Sequence, residues 1–170
     1  MKNIIFLSIL ILTFLCNAEV LAQTTFEAPP VTTVISKEDS TKLEASIVNA
    51  VNWIETTDLD KQHDKRKDVN GFILKWYIDV FTLNISLVEK LSSINEGNSD
   101  LLLIYFGGFA KYYIENKTTY TKLAATKAGL ISVMTVYKKG IGITKSKELE
   151  KLIKLTGENK LDDYVKENFD

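Results

Sequence analysis

Two neighbouring segments of the chain carry small residues at helical spacing, and this pattern constrains the fold more than any other. Residues 101–116 and 118–139 each show the apolar periodicity of an α-helix, and only a few residues around Lys117 connect them. Such a short connection predicts that the two helices are antiparallel neighbours. The small residues that would let the two backbones approach closely are Gly107, Gly108, Ala110, Ala124, Ala125, Ala128 and Gly129. We therefore predict the tightest helix contact of the fold here.

The rest of the chain predicts further helices. Apolar residues recur at helical spacing in four more segments. These segments begin near Ser36 or Ser40, Asp60, Ser146 and Leu161, and the first three end by Thr57, Asp79 and Gly157. We also expect Ser99 to cap the helix that starts at Leu101, Thr118 to open the next one, and Gly140 to end that helix. The prediction is an all-α fold, a single-domain bundle of about five to six helices over residues 37–170.

A short segment near residues 80–87 follows a different period. Apolar and polar residues alternate from Phe81 to Leu87, which is typical of a half-buried strand. Leu87, Val88, Leu91 and Ile94 also fit a helix. We interpret the segment as an extended stretch that passes into a helical turn, with residues 31–35 as the suggested pairing partner.

The first 22 residues have the pattern of a secretory signal peptide. Lys2 is followed by an apolar run over residues 4–15, and small or β-branched residues precede a cleavage position after Ala22. A membrane span needs about 20 apolar residues, and this run is shorter. The sequence predicts an exported protein, periplasmic or secreted, with no membrane span in the mature chain and an extended leader over residues 23–36.

Cys16 gives an alternative to simple cleavage, because lipoproteins are modified at a cysteine. The bulky Leu15 before it argues against lipoprotein processing. With cleavage after Ala22 the only cysteine is lost, so the mature chain would have no disulfide and no thiolate metal site. Its stability would then rest on the hydrophobic core alone.

Charge excludes one class of partner. The 170 residues contain 21 Lys and Arg against 22 Asp and Glu. Since no strong positive field results, we expect no nucleic acid partner.

The single histidine, His63, stands among acidic residues. On a helix it would share a face with Asp60 and Asp64, and Asp58 and Asp68 lie nearby. An Asp-x-x-His pair with a further acid can bind a divalent metal, which gives the hypothesis of a metal-dependent hydrolase centred on His63. The interleaved lysines and arginine favour a solvated helix start instead. We therefore expect no metal and no cofactor.

Other candidate groups have structural interpretations. Asp79 is set among apolar residues, as a carboxyl group with a raised pKa would be, but it fits a helix-terminal residue better. Gly107 and Gly108 lie inside a helical pattern, and no Lys-Ser or Lys-Thr follows, so they do not form a phosphate loop. Tyr112 and Tyr113 are adjacent, so one of them must point away from the packed face.

Three stretches carry a family resemblance. These are AVNWIETT at 50–57, LLLIYFGGFAKYYIEN at 101–116 and KELEKLIK at 147–154. They resemble an uncharacterised family of small exported bacterial proteins, mostly of Bacteroidota. The resemblance implies export and one helical domain, and it implies no activity.

These observations favour a non-enzymatic protein without catalytic residues. We expect it to act by binding a protein or envelope partner, as an immunity or inhibitor protein would. One alternative is a small-ligand carrier with a pocket between helices near Trp53, Trp76 and Phe81. The other is the hydrolase centred on His63.

Overall fold

Helices dominate the computed structural model, which describes residues 26–29, 37–81 and 85–169. Within these ranges there are eight α-helices and no strand, so the predicted all-α class is confirmed. In chain order they are α1 Lys37–Lys42, α2 Glu44–Thr56, α3 His63–Val80, α4 Ile85–Ile94, α5 Asp100–Glu115, α6 Lys122–Lys139, α7 Lys147–Gly157 and α8 Leu161–Phe169.

The predicted count of five to six helices is wrong for two reasons. The first predicted helix is divided at Leu43, a turn residue between α1 and α2. The second reason is α4, which occupies part of the segment that we interpreted as extended. Residues 85–87 are helical, and residues 82–84 lie outside the described ranges. The spacing of Leu87, Leu91 and Ile94 explains the helix, because it places these side chains on one face, with Leu91 fully buried.

The predicted signal peptide lies outside the described residues, as do residues 31–35. Of the predicted leader, residues 26–29 are described, and they lie against α3. The ring of Phe26 is 6.3 Å from that of Phe72, between centroids, and Glu27 accepts a hydrogen bond of 2.9 Å from Lys65.

The contact between α5 and α6 is the most extensive helix contact in the described part of the chain, as the small residues predict. A Cβ atom at Gly108 would lie 3.1 Å from the Cα atom of Gly129 and 2.6 Å from the Cβ atom of Ser132. A Cβ atom at Gly129 would lie 2.8 Å from the carbonyl oxygen of Tyr105. The two backbones therefore approach to a distance that only glycine allows at these positions.

Helix α5 is the centre of the bundle, because it also packs against α2 and α3. Gly107 faces α2, where a Cβ atom would lie 3.2 Å from Ile54 and 3.3 Å from Val51. Helices α7 and α8 both pack against α6, and α7 also contacts α4. The buried side chains form one hydrophobic cluster drawn from α2 to α8.

Two of the predicted helix ends are confirmed and two are wrong. Gly140 ends α6 with a φ of 71°, and the Ser146 hydroxyl accepts a 3.3 Å hydrogen bond from the Leu149 amide, so both of these predictions are confirmed. The prediction for Ser99 is wrong, because its side chain caps no amide of α5. Helix α6 begins after Thr121, not at Thr118, and the Thr121 hydroxyl accepts from the Ala124 amide.

The carboxyl end of α2 is held by cations from two other helices. The Arg66 guanidinium, on α3, is 3% exposed and donates hydrogen bonds of 2.7 Å and 2.9 Å to the carbonyls of Thr57 and Asp58. Lys139, at the end of α6, donates to the carbonyls of Glu55 and Thr56. The carbonyls of Glu55 and Thr56 are in the last turn of α2, where no following turn supplies amide donors, so the cations provide partners and also match the helix dipole.

We expect Gly129→Ala to destabilise the fold by about 1–3 kcal/mol, because the new methyl group overlaps the Tyr105 carbonyl and forces α5 and α6 apart. Urea unfolding monitored by circular dichroism measures the change. Gly157→Ala is the matched control, since a Cβ atom there meets nothing within 4 Å. This control should leave stability unchanged or raise it slightly. Equal stability of the Gly129→Ala variant and the wild type would contradict the close contact.

Candidate functional site

An open groove runs along the outer face of α6, between α5 and α8. Its volume is about 560 Å³, and its lining is mainly apolar. The apolar and aromatic side chains of this lining are Tyr112, Leu123, Ala124, Ala128, Ile131 and Val165. We call this surface the α6 groove. Ala124 and Ala128 form part of its floor, and the side chain of Ile131, which also lines it, is 42% exposed.

Charged groups stand at the rim of the α6 groove. The Lys127 ammonium and the Asp162 carboxylate form an ion pair of 2.6 Å that joins α6 to α8. Lys166, one turn further along α8, is exposed and forms no ion pair with any described residue. The groove thus combines an apolar floor with one unpaired cation at its edge.

A second depression of about 270 Å³ continues the groove on the other side of Ile131. Tyr112, Ala128 and Ile131 line both depressions. From Leu123 to Thr135 the surface follows α6 for roughly 18 Å, at the helical rise of 1.5 Å per residue. A ligand of peptide length therefore fits this surface better than a compact small molecule does.

A polar junction lines the second depression. The Ser132 hydroxyl donates a 2.5 Å hydrogen bond to the Glu55 carboxylate, and the Lys111 ammonium lies 3.9 Å from the same carboxylate. Lys111 also donates a 2.6 Å hydrogen bond to the side-chain oxygen of Asn52. These contacts link α2, α5 and α6, so we assign the junction a structural role.

The acidic residues around His63 do not assemble as the sequence suggested. Helix α3 begins at His63, after Gln62 in a left-handed conformation with a φ of 51°. Asp60 therefore lies outside the helix, and the expectation that it shares a helical face with His63 and Asp64 is wrong. Asp60 pairs with Lys61. No group of three or more His, Cys, Asp or Glu side chains within the described ranges is placed to hold a metal ion.

The position suggested for a ligand pocket is packed with aromatic side chains. Trp76 is fully buried, and its indole nitrogen donates a 2.9 Å hydrogen bond to the carbonyl of Ser40. The ring of Phe81 packs edge-on against Trp76 and against Tyr113, at centroid distances of 6.2 Å and 4.9 Å. Trp53 is 1% exposed and lies under the Arg66 guanidinium. These rings form part of the core.

The other candidates have the structural roles that we expected or close variants of them. Asp79 is within the last turn of α3 and accepts a 2.8 Å hydrogen bond from Lys75. Gly107 lies inside α5, as predicted. Tyr113 packs in the aromatic cluster, while its neighbour Tyr112 lines the α6 groove.

Comparison of the chain with protein-family models, curated proteins and solved structures finds no match. The resemblance of the sequence to exported bacterial proteins therefore stays a prediction. Among the helices of the described ranges, none has the length and apolar character that crossing a membrane requires.

We expect Tyr77 and Tyr105 to resist ionisation most strongly while the protein is folded. Burial raises the pKa of Tyr77 to about 12, and burial also raises the pKa of Tyr105 far above its ordinary value. The neutral tyrosines therefore stabilise the folded state. This contribution is fully present below about pH 10, the pKa of tyrosine in the unfolded chain, and it is lost as the pH rises through the higher pKa values of the folded state.

Alkaline titration followed by tyrosinate absorbance tests this expectation. In the folded protein Tyr77 and Tyr105 should ionise last, and burial should also delay the ionisation of Tyr120, Tyr137 and Tyr164, whereas the urea-unfolded protein should titrate all seven tyrosines together. Simultaneous ionisation of all seven in a folded sample would show that the aromatic core is open to water.

Proposed function

We propose that this chain is an exported, non-enzymatic helical protein that binds a protein partner through the α6 groove. An immunity-type or inhibitor-type role fits this proposal. The observation that carries it is the exposed apolar floor of the groove around Ile131. Exposed apolar surface that forms a continuous groove with a polar rim is typical of sites for protein partners.

The shape of the groove supports a helical partner segment. Ala124 and Ala128 are one turn apart on α6 and leave room for side chains of a second helix. Leu123 and Ile131 flank them and would contact apolar residues spaced by one turn in the partner. This is the arrangement by which amphipathic helices dock into apolar grooves.

The charge at the rim of the α6 groove favours a partner that carries an acidic residue beside its apolar face. Lys166 forms no ion pair within the described residues, while Lys127 is neutralised by Asp162. A carboxylate on the partner would pair with Lys166, and this contact would set the direction of the bound segment more than its affinity.

Export is supported by the signal-peptide pattern of residues 1–22 and by the absence of cysteine after residue 16. A non-enzymatic role is supported by the surroundings of the ionisable side chains. Glu44 pairs with Lys117 and Asp79 pairs with Lys75, so these acids already have cationic partners. Within the described ranges, no group of three or more potential metal-binding side chains forms around His63, as the hydrolase hypothesis requires.

Affinity capture from the native host tests the proposal. The full chain with its own signal peptide and a carboxyl-terminal tag is compared with two variants, Ile131→Glu and Ala128→Arg. The first places a charge on the groove floor, and the second fills the groove. We expect the wild type to retain one protein at near-stoichiometric yield, and we expect both variants to lose it.

Ile78→Glu is the matched control, because Ile78 is 48% exposed on α3, outside the groove. This variant should retain the partner. Thermal unfolding of all four proteins verifies that the substitutions leave the fold intact. Retention of the same partner by both groove variants, or capture of no partner by the wild type, would refute the proposal.

A further inference from the structure

A second cavity, separate from the α6 groove, lies between α3 and the beginning of α5. Its volume is about 320 Å³, at the lower end of the range of small-molecule sites. We call it the α3–α5 cavity. Its polar lining comes from His63, Arg66, Lys67 and Asn70 on α3 and from Asp100 on α5. Opposite charges thus face the same small space.

Two residues that line this cavity each have a buried atom without a hydrogen-bond partner. These atoms are the Nε donor of Arg66 and the Oδ1 acceptor of Asn70, in side chains that are 3% and 5% exposed. The terminal nitrogens of Arg66 are already engaged with the carboxyl end of α2, so only Nε is left without a partner. Unpaired buried polar atoms are uncommon in folded proteins, and each costs about 1–3 kcal/mol.

One unpaired atom is a hydrogen-bond donor and the other is an acceptor, and this combination indicates the class of ligand. A simple anion would satisfy Arg66, but it would leave the Asn70 oxygen unpaired and would face the Asp100 carboxylate. A simple cation would satisfy Asn70 and Asp100, but it would face Arg66 and Lys67. A molecule that carries both a carboxylate and an ammonium group satisfies both sides.

The rest of the lining is apolar. Leu74 and Leu103 are half-buried, and Gly71 contributes no side chain. Lys67 and Asp100 are exposed and form no ion pair with other described residues, so both remain available to a ligand. The space therefore offers two charged ends and an apolar wall.

We propose that the α3–α5 cavity binds a free α-amino acid with an apolar side chain. The carboxylate would face Arg66 Nε and Lys67, and the ammonium group would face Asn70 Oδ1 and Asp100. The side chain would pack against Leu74 and Leu103. Arg66 and Asn70 line the cavity, but their unpaired atoms are buried, so binding requires side-chain movement that brings these atoms to the cavity surface. This site is independent of the α6 groove.

Isothermal titration calorimetry on the purified chain tests the proposal. The probes are L-leucine, L-valine and L-alanine, together with N-acetyl-L-leucine and L-leucinamide. We expect saturable binding of at least one free amino acid. The two blocked leucine derivatives should bind at least tenfold more weakly than L-leucine, because each lacks one of the two charges.

Two variants and two controls locate the site. Lys67→Gln and Asp100→Asn should each weaken the binding of the best free amino acid at least tenfold, without loss of fold by circular dichroism. Lys122→Gln and Asp163→Asn change the same residue types at exposed positions outside the cavity and should bind as the wild type does. Absence of binding by all three amino acids, equal binding of either blocked derivative, or unchanged binding by both cavity variants would overturn the proposal.

Discussion

The close approach of α5 and α6 is the contact on which the rest of the structure depends. Gly108 and Gly129 have no side chains, and a Cβ atom at either position would force the two backbones apart. Because α5 is drawn against α6 in this way, its remaining faces are available to α2 and α3, and α6 supports α7 and α8. The α6 groove lies on the outer side of this same pair, so its floor rests on the most firmly packed part of the bundle. A rigid floor suits a docking surface, since little ordering is needed on binding.

Electrostatic contacts hold the carboxyl end of α2 against its neighbouring helices. The last carbonyls of α2 are occupied by Arg66 and Lys139, which come from α3 and α6. Burial lowers the pKa of Arg66, while Asp100 and Asp58 act in the opposite direction. A buried cation held by carbonyl groups and by the ring of Trp53 therefore joins the carboxyl end of α2 to the start of α3. The same side chain also lines the α3–α5 cavity, so the fold and the proposed ligand site share one residue.

Local patterns in the sequence predicted the helical class, the contact between α5 and α6, and the helix ends at Gly140 and Ser146. They failed at Leu43, where the helical period of apolar residues continues although the chain turns. They also failed near residues 85–87, where apolar and polar residues alternate as in a strand although the segment is helical. The α6 groove was not predicted, because it exists only once α8 packs against α6, a contact between residues distant in the chain. The unpaired atoms of Arg66 and Asn70 were equally hidden, since no local pattern reveals which buried polar atoms lack partners.

Native-state hydrogen exchange tests the central claim most directly. If the α5–α6 contact organises the bundle, the amides of residues 104–110 and 125–134 exchange only through global unfolding. Their opening free energy then equals the free energy of unfolding from urea denaturation, while the amides of α1 and α4 exchange through smaller openings. Faster exchange in α5 or α6 than in α1 and α4 would contradict the account, because the contact would then be less stable than the elements that it is meant to hold.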